Sequence, residues 1–202
     1  MPVEKTTSST TMVRRASPKE TIPPVKTWSF EKTDREGGRT WAISHGGKPL
    51  ELTVENTMSP FDLSSLKESV RMSLSLRLPR EWGIAFECME SCLLHEVSEK
   101  SVQFCGAPQT VADLTIDYKP ITKQNGDYPR HLKVKLNTTG AYAARYWDDG
   151  KARVSAPASH AGQVFDVKVV IRSVWFVDDA WGLVCDATDF LLQEQMEVDC
   201  PF

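Results

Sequence analysis

The sequence predicts a mainly β protein with one inserted helix, an α+β arrangement. Two observations carry this prediction. Several short segments alternate apolar and polar residues and are separated by turn residues, whereas one segment of about twenty residues has a helical period. Short strands with frequent turn signals favour a small barrel or sandwich over a parallel α/β sheet. A chain of 202 residues suits one domain with tails.

The clearest strands lie near the C-terminus. In residues 163–177, Phe165, Val167, Val169 and Ile171 alternate with polar residues, as in a half-buried strand. Asp178-Asp179 is typical of a turn, and alternation resumes over residues 181–192. These residues predict a long hairpin, with Phe165 and Trp181 in the core.

Further strands are predicted along the chain. His45-Gly46-Gly47-Lys48 separates two alternating segments, which indicates a hairpin. The predicted strands cover residues 28–30, 40–44, 50–54, 70–78, 113–119 and 131–137. The segment containing Phe61 is predicted to be irregular and partly buried.

One amphipathic helix is predicted over residues 80–98, with a short continuation to Phe104. Pro79 precedes its first turn, and Gly106 lies where the helical pattern ends. Its apolar positions recur every three or four residues and form one stripe: Trp82, Phe86, Met89, Leu93 and Val97.

The ends of the chain differ in composition from its middle. Residues 1–25 are rich in Thr, Ser and Pro, so we expect a disordered N-terminal tail. Residues 26–192 form the predicted domain, and residues 193–202 form an acidic C-terminal tail.

Composition limits the classes of protein. A net charge of -3 argues against a uniformly basic nucleic-acid coat, although a local basic face can coexist with it. Five cysteines without C-x-x-C spacing favour a reducing, intracellular environment. No apolar run approaches the roughly 18 residues that span a membrane, and the N-terminus lacks the apolar core of a secretory signal. We therefore expect no membrane association.

Three residues of the predicted helix form a candidate catalytic or metal site. Cys88, Cys92 and His95 can share one helical face, and Cys105 could add a fourth ligand. The spacing lacks the two close ligand pairs of structural zinc sites, and no catalytic motif accompanies the histidines. The sequence predicts no metal, no cofactor and no enzyme, with an enzyme using this helical face as the remaining alternative.

Basic and aromatic residues interleave in the second half of the chain. Lys133 and Lys135 share one strand face, and Lys168 and Arg172 share another. Proteins that bind single strands combine cations along the phosphates with rings on which bases stack. The alternative is a solvated sheet face whose aromatic residues belong to the core. The candidate nucleic-acid-binding residues are Lys133, Lys135, Tyr142, Arg145, Tyr146, Trp147, Lys168, Arg172 and Trp175.

The acidic tail ends in Pro201-Phe202, preceded by Glu197 and Asp199. Such a segment can mimic nucleic acid in the protein's own basic groove, or dock into a basic, apolar pocket on a partner. An ordinary frayed C-terminus is the simpler interpretation.

Two stretches resemble a known family. Residues 197–202 are similar to the acidic Pro-Phe tip of bacterial single-stranded-DNA-binding proteins, but have few acids and Cys200 before the proline. Residues 128–135 and the last two strands, with Val174-Trp175-Phe176-Val177 and Trp181-Gly182-Leu183, resemble the single-stranded-DNA-binding proteins of large eukaryotic DNA viruses and some phages.

The resemblance implies an OB-type five-stranded barrel with extra N-terminal strands. It also implies sequence-independent binding of single-stranded DNA in replication, recombination or repair, at a nuclear or viral replication site. The tail would recruit a polymerase or helicase through Glu197, Asp199, Pro201 and Phe202. Binding of RNA and homo-oligomerisation remain open, and the alternative function is a β-rich protein-interaction module.

Overall fold

The computed structural model describes residues 22–35, 38–64 and 70–193. Within them lie a short 3-10 helix (Val25–Thr27) and three α-helices, α1 (Arg80–Glu99), α2 (Ser101–Cys105) and α3 (Val111–Asp117). The strands are β1 (Trp28–Arg35), β2 (Gly38–His45), β3 (Lys48–Met58), β4 (Arg71–Arg77), β5 (Tyr118–Lys119), β6 (Thr122–Lys123), β7 (His131–Asn137), β8 (Arg145–Trp147), β9 (Arg153–Val154), β10 (Val164–Val177) and β11 (Ala180–Leu192).

The protein is mainly β, and its sheet closes on itself. From β10 the pairing passes to β3, then to β4 through Met58 and Arg77, and then to β7. Strand β7 runs parallel to β11 where Lys135 faces Asp186, and β11 returns to β10 as an antiparallel partner. Strands β1 and β2 extend the sheet beside β10, while β8 and β9 extend it beside β11.

Both predicted hairpins are confirmed. Gly46 and Gly47 have φ values of 58° and 74° between β2 and β3, a conformation that a tight two-residue turn requires. Strands β10 and β11 are paired from Phe165–Leu192 to Val177–Ala180, with the turn at Asp178-Asp179.

The predicted helix is confirmed as α1. Its apolar stripe is buried, and Phe104 continues the same core from α2. The α1 side chain of Glu90 is also buried and holds the β5–β6 segment: Glu90 Oε1 accepts hydrogen bonds from Tyr118 Oη at 2.7 Å and from the Ile121 amide at 2.8 Å. This contact ties the helix to the segment that leads into β7.

The strand predicted at residues 113–119 is wrong for most of its length. Residues Val111–Asp117 form α3, and only Tyr118–Lys119 pair in the sheet. The Thr110 hydroxyl accepts a hydrogen bond from the Asp113 amide, and the Asp113 carboxylate accepts one from the Thr110 amide. This capping box satisfies the first amides of a helix and outweighs the alternation of Leu114, Ile116 and Tyr118.

The predicted N-terminal boundary lies too late in the chain. Val25 is 4% exposed, Ile22 packs against the core, and Trp28 Nε1 donates a hydrogen bond to the Pro23 carbonyl at 3.1 Å. The rest of that predicted tail, residues 1–21, lies outside the described residues, as does the acidic tail from residue 194 onward.

The core contains two aromatic groups. Trp41, Phe104, Phe176 and Trp181 pack around one end, with the Phe176 and Trp181 rings stacked at 5.4 Å. Phe165 and Phe190 meet edge to face at 5.2 Å around the other. The predicted burial of Phe165 and Trp181 is therefore confirmed. Among the described residues, no helix has the length and apolar composition needed to cross a bilayer.

Candidate nucleic-acid interface

The outward faces of β4 and β7 carry cations and no acidic residue. On both strands the leucines and valines point into the core, so the alternate positions face outward. Cross-strand pairing sets Arg71 opposite Asn137, Ser73 opposite Lys135, Ser75 opposite Lys133 and Arg77 opposite His131. Four positive charges, from Arg71, Arg77, Lys133 and Lys135, therefore share one surface.

Lys135 lies at the centre of this surface. Its Nζ donates a hydrogen bond to Ser73 Oγ at 2.5 Å, and its backbone faces Asp186 across the β7–β11 pair. Partial burial lowers the pKa of Lys135, and the positive charges of Lys133 and Arg71 lower it further. Like charges held this close favour an anion between them.

Bulges in β10 and β11 determine which side chains face outward. The core residues of β10 are Phe165, Val167, Val169 and Ile171, but then Val174 and Phe176. This one-residue change of phase coincides with the irregular pairing between Ile171 and Ser173. The bulge consequently leaves Arg172 exposed and puts Trp175 on the same face as Lys168.

A groove of about 530 Å³ crosses β11, which we call the arginine groove. Arg71, Arg145, Arg172 and Tyr142 line its sides, and Asp186 lies among them. Asp186 pairs with two guanidinium groups: Oδ2 lies 3.0 Å from Arg172 Nε, and Oδ1 contacts Arg71 Nη2. One carboxylate shared by two arginines leaves a positive site.

Arg145 is held in place by Asp189. Its Nε and Nη2 each lie 2.8 Å from an Asp189 oxygen, while Trp147 Nε1 donates a further hydrogen bond to Oδ1 at 3.0 Å. Partial burial alone would raise the pKa of Asp189, but the hydrogen bonds from Arg145, Trp147 and Thr188 outweigh it and hold the pKa below its usual value. The two groups thus remain ionised and orient the guanidinium beside the groove.

Three predicted rings stay accessible to different extents. Tyr142 is 86% exposed at the edge of the arginine groove. Trp147 is half-buried, with the Arg145 guanidinium 6.0 Å from its ring centroid. Trp175 is also half-buried on the outward face of β10, where its Nε1 donates to the Leu183 carbonyl at 3.3 Å.

The stacking role predicted for Tyr146 does not fit its position. Its ring is 5% exposed and stacks on Phe190 at 5.0 Å, and its hydroxyl lies 2.7 Å from His160 Nε2. A base has no access to a ring enclosed on both faces. Strand β8 alternates, so Arg145 and Trp147 lie on one side and Tyr146 on the other.

Lys168 shares the outward face of β10 with Arg172 but does not line the arginine groove. Its Nζ lies 3.7 Å from Glu51 Oε2 on β3. Glu51 and Glu55 give that part of the surface acidic character. The structure therefore gathers Tyr142, Arg145 and Arg172 in the groove, with Lys133 and Lys135 beside it, and leaves Lys168 at the margin.

Sequence reasoning missed Arg71, Arg77 and Phe61. The period-two pattern of residues 70–78 was sufficient to put both arginines on the polar face of a strand. Phe61, predicted as partly buried, is instead 64% exposed in the connection between β3 and β4. No local pattern signals this exposure.

Two further predicted sites remain, the C-terminal tail and the cysteine–histidine cluster. Glu197, Asp199, Pro201 and Phe202 lie outside the described residues. Cys88, Cys92 and His95 face solvent on α1, opposite its apolar stripe. Among residues 22–35, 38–64 and 70–193, no three His, Cys, Asp or Glu side chains are grouped to hold a metal ion.

Comparisons with known proteins give structural similarity only. No protein-family model matches the sequence, and no curated protein matches it. The single-stranded DNA-binding protein of bacteriophage Enc34, in complex with single-stranded DNA, is 8% identical over 82% of this chain and 94% of its own, with a TM-score of 0.49. The single-stranded DNA binding protein gp2.5 of bacteriophage T7 is 14% identical over 70% of this chain and 85% of its own, with a TM-score of 0.45.

Proposed function

We propose that this protein binds single-stranded DNA without sequence preference. The observation that carries the proposal is the β4–β7 face, which has four cations and no acid and continues into the arginine groove. Cations spaced along strands follow a phosphate backbone, and accessible rings beside them stack on bases of any identity. Tyr142, Trp147 and Trp175 are the stacking rings of this proposal.

The strand pairing supports an OB-type barrel as the scaffold. In chain order the strands of the closed ring are β3, β4, β7, β10 and β11. OB-folds bind oligonucleotides on their second and third strands and on the loops that join strands one to two and four to five. Here those positions are β4, β7, the connection that carries Phe61, and the turn at Asp178-Asp179. Strands β1 and β2 are the extra N-terminal strands.

Tryptophan emission tests the proposal directly. Trp147 and Trp175 are half-buried, while Trp28, Trp41, Trp82 and Trp181 are buried. Titration with poly-thymidine at low salt should quench the emission, and Trp147→Phe and Trp175→Phe should each remove part of that quench. Poly-uridine in parallel measures the preference for DNA over RNA.

A charge variant gives the matched comparison. Arg71→Ala with Arg172→Ala should weaken binding at least about tenfold, because each arginine supplies a charge-assisted phosphate contact. Lys26→Ala removes an exposed lysine outside the arginine groove and should leave binding unchanged. Absence of quenching and of a gel shift at low salt would contradict the proposal and favour a β-rich protein-interaction module.

We also propose that the acidic tail recruits a polymerase or helicase in replication, recombination or repair. The support is chemical: Glu197 and Asp199 supply negative charge, and Pro201-Phe202 supplies an apolar end. Deleting residues 193–202 should maintain or raise DNA affinity and abolish pull-down of the replication enzyme. A fall in DNA affinity after the deletion would count against this role.

A further inference from the structure

A second groove lies at the opposite end of β4 from the arginine groove. Its volume is about 750 Å³, and it is bounded by the first turns of α1 and by the loop before β7. Arg77, Arg80 and Arg130 line it, together with Tyr128, which is 74% exposed. The acidic residues Glu87 and Asp127 also line it, so the cations exceed the acids by one.

The wall of the second groove is tightly arranged around Arg130. Its Nη2 lies 2.9 Å from Glu87 Oε1, and its Nη1 donates to Thr122 Oγ1 at 3.3 Å. Gly83 permits this approach, since a Cβ there would lie 3.3 Å from Arg130 Cβ. Arg130 is thereby neutralised and fixed, whereas Arg77 and Arg80 have no acidic partner among the described residues.

The two grooves are joined by a cationic surface. Arg71 lines the first and Arg77 lines the second, and both point outward from β4. Six residues along a strand span about 20 Å. Between them the outward positions are Ser73 and Ser75, with Lys135 and Lys133 opposite on β7.

We propose that single-stranded DNA bound in the arginine groove continues along β4 and β7 into the second groove, where a base stacks on Tyr128. Arg77 and Arg80 bind the phosphates at this end, because both are exposed and neither is paired with an acid in the described part of the chain. This inference rests on the proposed function and extends its binding site to a second contact region. Such a length is compatible with the roughly 4–16 nucleotides that one OB-fold covers.

Oligonucleotide length separates the two grooves. The full-length protein is titrated with oligothymidine of about 5 and about 15 nucleotides, lengths chosen within the range that OB-folds cover. The longer strand should bind more tightly. Tyr128→Ala and Arg80→Ala should each weaken binding of the longer strand at least about fivefold and leave the shorter one unchanged.

Two controls make the outcome decisive. Tyr142→Ala should weaken both lengths, because this ring borders the arginine groove, and Lys26→Ala should weaken neither. Unchanged affinity for the short strand also shows that the second-groove variants remain folded.

If the short strand binds but the second-groove variants leave the affinity for the longer strand unchanged, the proposed path along β4 and β7 is wrong and the proposed function survives. If neither length binds to the unaltered protein, the proposed function itself fails.

Discussion

Asp186 controls the charge of the arginine groove. Its two oxygens contact Arg71 and Arg172, and its side chain is only 20% exposed. A phosphate that enters the groove must compete with this carboxylate for both guanidinium groups. The residue therefore orients the arginines, and its charge would oppose an anion bound between them.

Asp186→Asn should tighten the binding of single-stranded DNA by about three- to tenfold. The change removes one negative charge near the phosphates while keeping an oxygen that accepts from either arginine. Fluorescence titration with poly-thymidine measures the effect. Glu99→Gln, an exposed site at the end of α1, is the control and should have no effect. Weaker binding by Asp186→Asn would show that the carboxylate contributes more by orienting the two arginines than it costs by repelling the phosphates.

His160 joins two parts of the fold. Its Nε2 lies 2.7 Å from the Tyr146 hydroxyl and accepts a hydrogen bond from it in the neutral tautomer that is protonated at Nδ1, and its backbone amide donates to Asp62 Oδ1 at 3.1 Å. Burial lowers the pKa of His160 below its ordinary value of 6.5, although Asp62 opposes this shift. The unfolded chain consequently binds the proton more readily, so stability is full above about pH 6.5 and declines as the pH falls through the folded pKa.

His160→Gln should lose roughly 1–3 kcal/mol of stability at pH 7, because packing and the Tyr146 hydrogen bond are impaired. The difference in unfolding free energy between the variant and the unaltered protein should shrink toward pH 5. There the unaltered protein loses the stability that its neutral histidine contributes at pH 7. Urea denaturation at both pH values measures it. His95→Gln, on the exposed face of α1, should show neither effect. A constant difference across this range would contradict the titration of His160.

At the scale of elements, the bulged hairpin of β10 and β11 positions the interface. Each strand changes phase once, after Ile171 in β10 and after Ala187 in β11. A regular hairpin would have turned Trp175 toward the core together with Phe165. The two bulges therefore let one hairpin contribute both core residues and outward-facing groove residues.

The pairing of β11 with β5 leaves no room for a side chain at Gly182. A Cβ there would lie 2.6 Å from the Lys119 carbonyl oxygen and 3.3 Å from the Trp175 ring. Gly182→Ala should therefore cost about 1–3 kcal/mol and displace Trp175. Thermal unfolding and the tryptophan emission spectrum report the two effects. Gly150→Ala, where the nearest atom is an Asp148 oxygen at 3.4 Å, is the control. An unchanged melting temperature for Gly182→Ala would contradict this packing.

For the whole molecule, the distribution of charge matters more than its total. The chain carries a net charge of -3, yet the outward faces of β4 and β7 carry four basic side chains and no acidic one, while β3 presents Glu51 and Glu55. An acidic protein can thus present a local attraction for a phosphate backbone.

Lys133→Ala with Lys135→Ala should reduce the salt dependence of DNA binding. Each lost phosphate contact lowers the slope of log K against log salt by about 0.7 for single strands, so the double variant should lose about 1.4. Titrations between low and physiological salt give the slope. Lys26→Ala should leave it unchanged. A double variant with the slope of the unaltered protein would exclude both lysines from the phosphate contacts.

The sequence by itself determined the local elements and the faces of their side chains. Period-two patterns located β4, β7, β10 and β11, and the recurrence of Trp82, Phe86, Met89, Leu93 and Val97 located α1, because these periods reflect backbone geometry. The same reasoning failed at α3, where the capping box of Thr110 and Asp113 and the strand pattern that ends at Tyr118 compete within nine residues.

Only the tertiary structure decided which elements meet. Arg71 and Arg172 come together at Asp186 because β4, β7, β11 and β10 are neighbours in the closed sheet, and that order depends on long-range pairing. Tyr142 faces solvent and Tyr146 enters the core because a loop and a short strand give them different surroundings. A bulge shifts the alternation of inward and outward side chains by one residue and has no local sequence signal. Only the folded chain therefore shows which side chains line the arginine groove.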